Sequence, residues 1–117
     1  MPRTLFEKLL DAHLVRRFDD GSALVLIDRI MMHERTGSLA LHALQAANRR
    51  VANPAHAFAV MDHIVSTQPG RGDDTSVPNG AAFVAAMREA AAGAGIQLFE
   101  VTDANQGITH LVAVDSD

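Results

Sequence analysis

A layered α/β domain, with helices on both faces of a mainly parallel sheet, is the fold this sequence predicts, and three observations predict it. Short apolar runs of strand-forming residues alternate with amphipathic stretches, the order expected when helical crossovers join parallel strands. The packing residues are Leu, Val, Ile, Met and many Ala, with no Trp, no Tyr and only five Phe. Ala-rich helices lie close on a sheet, which favours layers over an all-β sandwich. The 117 residues and 48% hydrophobic content suit one core, so residues 1–117 are read as a single domain.

Each element has a local reason. Thr4-Leu5-Phe6-Glu7 is a capping box, so a helix is expected from Thr4 to about His13, with Leu5, Phe6, Leu9 and Leu10 on one face. Asp19-Asp20-Gly21 signals a turn. The unbroken apolar run Ala23–Ile27 predicts a strand covered on both faces, ending at Asp28-Arg29, with His33-Glu34 just beyond it. A second helix is expected from about Ser38 to Arg50, broken by Asn53-Pro54. Ala57–Met61 is a second buried strand that runs directly into Asp62-His63. From Ser66 to Gly80 the composition is that of a mobile loop. Pro78-Asn79 opens a third helix, with Phe83, Met87, Ala90 and Ala94 on one face, ended by Gly93 and Gly95. Ile96–Phe99 is a third strand, and Asp103–Gly107 turns the chain into a fourth apolar segment, Ile108–Val114, read as a strand.

Charge and composition exclude several functions. A net charge of -4 leaves no footprint for nucleic acid or for an anionic membrane surface. The one basic pair, Arg49-Arg50, is expected at a helix end. No apolar run approaches membrane-spanning length, and the start of the chain lacks the shape of a signal peptide, so a cytoplasmic protein is expected. The absence of cysteine removes disulfides, thiol nucleophiles and thiolate-held metals or clusters. No two histidines have the i, i+4 spacing of a helical zinc site, so no metal ligand is assigned. Gly70 and Gly72 follow no strand directly, and Gly93-Ala94-Gly95 ends a helix where anion binding needs a start, so a nucleotide site is excluded.

Ligands of open parallel sheets bind beyond the carboxyl ends of strands, where His33 and Asp62-His63 are expected. A carboxylate beside a histidine sets its tautomer and supports proton donation to a leaving group. Taken alone, the dipeptide favours the plainer reading, in which Asp62 caps a turn and His63 is an ordinary polar edge residue. His110, inside an apolar segment, reads alone as a hydrogen-bonded core histidine. His33-Glu34 is open between contact with a substrate carboxylate, orientation of water, and a solvated loop pair. His13, His42 and His56 are given no role.

Together these segments resemble the opening of 3-isopropylmalate dehydratase large subunits, in the aconitase family. The likeness lies in Thr4-Leu5-Phe6-Glu7-Lys8, Asp11-Ala12-His13, Asp20-Gly21, Leu26-Ile27-Asp28-Arg29, and His33-Glu34 with Thr36. Met61-Asp62-His63 with Thr67 is similar to the family's MDHNVPT segment; Gly95–Phe99 and Gln106–His110 are similar to GIRLF and QGIVH. The resemblance spans nearly the whole chain but only the N-terminal portion of such a subunit. It implies an aconitase-type domain of a hydro-lyase that interconverts 2- and 3-isopropylmalate by dehydration and rehydration, in leucine biosynthesis.

By that likeness Asp62 and His63 form the acid pair that protonates the departing hydroxyl, His110 is a second imidazole near it, and His33 touches the hydroxy-dicarboxylate substrate. His63 and His110 are then expected to face one shared, partly open cleft. The resemblance also implies a four-iron four-sulfur cluster in the complete enzyme, held by later cysteines and not by this chain, and a small-subunit partner. This chain alone is expected to be inactive. Ile64, Ser66 and Leu111 depart from the family pattern, so a paralogue acting on another hydroxy-di- or tricarboxylate remains open, as does a free-standing, non-catalytic binding domain.

Overall fold

The computed structural model describes the backbone of residues 1–115 and the side chains of residues 1–113. Helix α1 (Leu5–His13) leads into a hairpin of β1 (Leu14–Arg17) and β2 (Ala23–Val25). Then come β3 (Ile30–His33), α2 (Gly37–Ala46), β4 (Ala57–Val60), α3 (Gly80–Ala94), β5 (Gln97–Phe99) and α4 (Thr109–Asp115). Strands β3, β4 and β5 form a parallel sheet in that order, with Met32 opposite Ala59 and Ala59 opposite Leu98.

The pleat of β4 divides the core in two, because alternate side chains of a strand point to opposite faces. Ala57 and Ala59, with Met61, pack against Leu41 of α2 and against Val84, Met87, Ala90 and Ala91 of α3. On the other face Val60 packs with Phe99 and Val112, flanked by Phe58 and Met31. Helices therefore cover both faces, and the predicted three-layer α/β/α arrangement holds. The helix on the second face was not expected, since Ile108–Val114 reads as a strand but forms α4. Its apolar residues line one helical face as readily as one strand, and a short run cannot separate the two by periodicity.

The run Ala23–Ile27 is the other correction. It gives only the short strand β2, which pairs antiparallel with β1, and Leu24, Leu26 and Ile27 are 51%, 60% and 67% exposed. The buried partner of β4 is β3, whose residues Ile30–His33 lie beyond the predicted strand end. An uninterrupted apolar run states what a strand needs around it, not what lies there; no described element covers these side chains.

Other boundaries follow local chemistry. The capping box is formed, with the Glu7 N–H donating to Thr4 Oγ1 at 3.2 Å and the Thr4 N–H to Glu7 Oε2 at 2.7 Å. Helix α2 ends earlier than predicted, at Ala46, because Asn48 turns left-handed (φ 55°) and lets the Arg49 N–H close on the Leu44 carbonyl. Arg49-Arg50 thus follows the helix instead of ending it. Helix α3 starts after a left-handed Asn79 and stops at a left-handed Gly95, while Gly93 stays helical. The predicted loop from Ser66 to Gly80 is tied at two points: Thr75 Oγ1 donates to the Ile64 carbonyl at 2.5 Å, and Arg88 of α3 bridges Asp73 at 3.0 Å and Glu100 at 2.6 Å.

The N-terminal unit of α1, β1 and β2 contributes to neither apolar cluster; among the described residues these begin at Met31. A radius of gyration of 17.0 Å records the protruding unit, since a compact domain of this length is near ~13 Å. Within that unit His13 ties helix to hairpin, its ring meeting the Leu9 carbonyl at 2.8 Å and Asp28 at 2.9 Å.

Candidate functional site

Glu34 builds the site. It follows the last residue of β3, is fully buried, and sends its carboxylate across to the end of β4. There it accepts three successive backbone N–H groups: Asp62 onto Oε2 at 3.1 Å, His63 onto Oε1 at 2.6 Å, and Ile64 also onto Oε1. A turn leaving a strand end has amide donors that the sheet no longer satisfies, and a buried donor without an acceptor is costly. Glu34 meets all three and so fixes the backbone from which Asp62 and His63 project. Of the readings open from sequence, a solvated loop pair is thereby overturned.

Asp62 is nearly buried, its side chain 6% exposed, and both its oxygens are engaged. Oδ1 meets His63 Nδ1 at 2.6 Å; Oδ2 accepts the Thr109 N–H at 2.8 Å and the Thr109 hydroxyl at 2.5 Å. Burial pushes the Asp62 carboxyl up, but the Thr109 hydroxyl, the His63 ring and the Thr109 amide together outweigh it and hold the group below the ordinary carboxylate range. An ionised carboxylate only accepts, so His63 Nδ1 carries the hydrogen and Nε2 is the nitrogen left to act. The His63 side chain is 46% exposed. A carboxylate-backed imidazole with its free nitrogen reachable from solvent can donate or take one proton and is held in one tautomer while doing so.

His33, the last residue of β3, stacks on His63 with ring centroids 3.7 Å apart and planes 12° from parallel. Its Nδ1 is buried and has no hydrogen-bond partner among the described residues. Behind this pair Gln106 donates to the Met61 carbonyl and accepts from Arg71, closing the wall between the end of β4 and the segment before α4.

The structure thus brings Asp62, His63 and His33 together at the carboxyl edge of the parallel sheet. His110 sits on α4 instead of a strand, exposed, and no hydrogen bond or ring contact joins it to this group among the described residues. Its neighbour Thr109 is the residue that meets Asp62. Sequence reasoning missed Glu34 as an anchor and Thr109 as the partner of Asp62. Sequence separations of 28 to 30 residues for Glu34 and 47 for Thr109 leave no local spacing to find them by. A broad cleft of about 1250 Å³ lies elsewhere, between the ends of α2 and α3, lined by His42, Asn48, Arg49, Arg50 and Glu89 among others. Neither Asp62 nor His63 borders it, and no polar group there is held as theirs are.

Fold and site define a parallel-sheet α/β domain that presents a carboxylate-backed imidazole from a strand end. Residues 7–117 match the family model described as the aconitase family (aconitate hydratase), and the chain belongs to that family. Its enzymes are hydro-lyases, and they generally carry a four-iron four-sulfur cluster. No solved structure matches the chain. The donor set here does not fit that cluster. Thiolates hold such clusters, the chain has no cysteine, and the one close group of donors among the described residues is two imidazoles and a carboxylate. No helix among the described residues is long and apolar enough to cross a membrane.

Proposed function

We propose that this chain supplies the acid side of a hydro-lyase site of the 3-isopropylmalate dehydratase type, interconverting 2- and 3-isopropylmalate in leucine biosynthesis. The observation that carries the reading is the Asp62–His63 pair, with its Nδ1–H held by an ionised carboxylate and Nε2 free at the sheet edge. Dehydration removes a proton from carbon and breaks a carbon–oxygen bond whose leaving group, hydroxide, is poor. A protonated His63 Nε2 delivers its proton to that oxygen as the bond breaks, so water departs, and Asp62 stabilises the imidazolium before transfer. In the reverse direction the neutral Nε2 takes the proton back from water. His33 touches the hydroxy-dicarboxylate beside His63, and His110 approaches the departing hydroxyl from α4 on substrate binding. The base that takes the carbon-bound proton, the cysteines for the cluster and the small subunit lie outside this chain, which by itself does not turn over. The setting is the cytoplasm.

The test is a dehydration assay on 3-isopropylmalate with the continuous large subunit, anaerobically reconstituted and joined to its small subunit, comparing His63→Ala with wild type. A fall in kcat of ~100-fold or more is expected, the usual contribution of a positioned general acid. Unchanged turnover would remove His63 from the mechanism. Turnover on a different hydroxy-di- or tricarboxylate would keep the acid pair and change the substrate. The cysteine-free sequence favours a second reading, a binding domain without catalysis; a small subunit that never assembles with this polypeptide and no turnover on any hydroxy acid would establish it.

A further inference from the structure

We propose that His33, Glu34 and His63 form a binding site for a single divalent transition-metal ion, of the Zn(II) or Fe(II) kind. The inference does not rest on the hydro-lyase reading, and an ion held by His63 Nε2 displaces the proton that reading assigns to the same atom for as long as it is bound. Each residue offers one ligand atom, and these atoms lie within 4.8 Å of one another. Bonds of ~2.1 Å, as zinc makes to imidazole, place ligand atoms about 3–4 Å apart, so the three residues already stand near the spacing an ion requires, and reorientation of one ring closes the set. Two imidazoles with one carboxylate suit late first-row ions rather than Mg²⁺ or Ca²⁺, and leave positions free for water or a chelating oxygen ligand.

Two features are unfavourable without a cation and are relieved by one. The buried Nδ1 of His33 has no partner among the described residues, although buried polar atoms in folded proteins almost always do. The nearly parallel stack of His33 on His63 is the arrangement that ring quadrupoles disfavour against offset or edge-on contacts. An ion bound there gives the orphaned nitrogen a partner and takes the place of the ring–ring contact.

The surroundings are those of a ligand set. Asp62 holds Nδ1–H of His63, which directs Nε2 outward in the carboxylate–histidine–metal arrangement that orients ligating imidazoles. Glu34 Oε1 is taken by two amides, but Oε2 accepts only the 3.1 Å bond from Asp62 and keeps a lone pair. Parallel rings do not aim their lone pairs at one point. Binding therefore requires His63, the half-exposed ring, to swing out of the stack while His33 and Glu34 stay fixed. The ion replaces the ring–ring contact.

The experiment is a titration of the metal-stripped protein with Co(II) alone, followed by its ligand-field absorption and by paramagnetic shifts of the histidine ring protons. One equivalent should bind, shift the His33 and His63 resonances selectively, and be displaced by Zn(II). His63→Ala, at a half-exposed position that leaves the fold intact by circular dichroism, should weaken Co(II) binding by ~100-fold. Asp62→Asn should weaken it ~10-fold through the oriented ring. His42→Ala, on the distant cleft, should leave it unchanged. Absence of saturable binding to the wild-type protein, or affinity retained in His63→Ala, overturns the proposal, and neither outcome depends on any turnover assay.

Discussion

Replacing Glu34 with Gln keeps the size of the side chain and removes its capacity to serve three donors. The carboxylate accepts the N–H groups of Asp62, His63 and Ile64. A carboxamide has one acceptor oxygen with two lone pairs, so one amide loses its partner and the new NH2 group confronts it. A buried donor left unmatched costs about 1–3 kcal/mol, and hydrogen bonds to a neutral acceptor fall short of charge-assisted ones by roughly 1 kcal/mol each. The expected loss is therefore about 3–5 kcal/mol, a large share of the roughly 5–15 kcal/mol that holds a domain together. Urea unfolding of the variant should show a lower midpoint at an unchanged slope. Amide hydrogen exchange should localise the damage, with protection lost at residues 62, 63 and 64 but retained along the Phe58–Val60 ladder, whose partners on β3 and β5 are untouched. A stability change under about 1 kcal/mol, with those three amides still protected, would refute the claim that Glu34 sets the geometry of the acid pair.

Thr109→Val removes the hydroxyl bonded to Asp62 Oδ2 but keeps the amide bond, so α4 should loosen by about 1–2 kcal/mol in urea unfolding, with the sheet unaffected. Gly80→Ala pits helix propensity against space. A methyl at this buried first residue of α3 collides with the Thr75 side chain and meets Ile64 Cγ2 at 2.8 Å. Crowding of about 1–3 kcal/mol outweighs the gain of roughly 1 kcal/mol from Ala over Gly, so the melting temperature should fall, not rise. Acid should destabilise the protein through Asp62, whose folded pKa lies below its unfolded value. That contribution is complete above the ordinary carboxylate pKa near ~3.9 and is lost as pH falls through the folded value, so unfolding midpoints should drop below about pH 4 and drop less steeply in Asp62→Asn. His13 runs the other way. The Leu9 carbonyl and Asp28 raise its pKa, so its contribution is present below the ordinary histidine value near ~6.5 and fades as pH rises past it; His13→Gln should flatten that part of the profile.

What a reader of residues alone can recover here is whatever a few neighbouring side chains decide. The Thr4–Glu7 capping box, the Asp19–Gly21 turn, the left-handed stop at Gly95 and the buried β4 each depend on contacts within a few residues, and each is where composition and spacing put it. The layered parallel α/β class follows from their alternation. So does the adjacency of Asp62 and His63, joined by the chain itself. Tertiary structure decided the rest, because the deciding partners are far apart along the chain. The run Ile108–Val114 is compatible with strand or helix by itself, and in the fold it is a helix whose Val112 packs on Val60 and Phe99. Whether Ala23–Ile27 was buried depended on a neighbour that its own sequence cannot specify. The site depends on the same kind of contact: a carboxylate 28 to 30 residues before the amides it holds, an imidazole 30 residues before the one it stacks on, and a hydroxyl 47 residues after the aspartate it supports. Hydrogen bonds and ring contacts act over a few ångströms in space, and only the folded sheet brings those residues within reach.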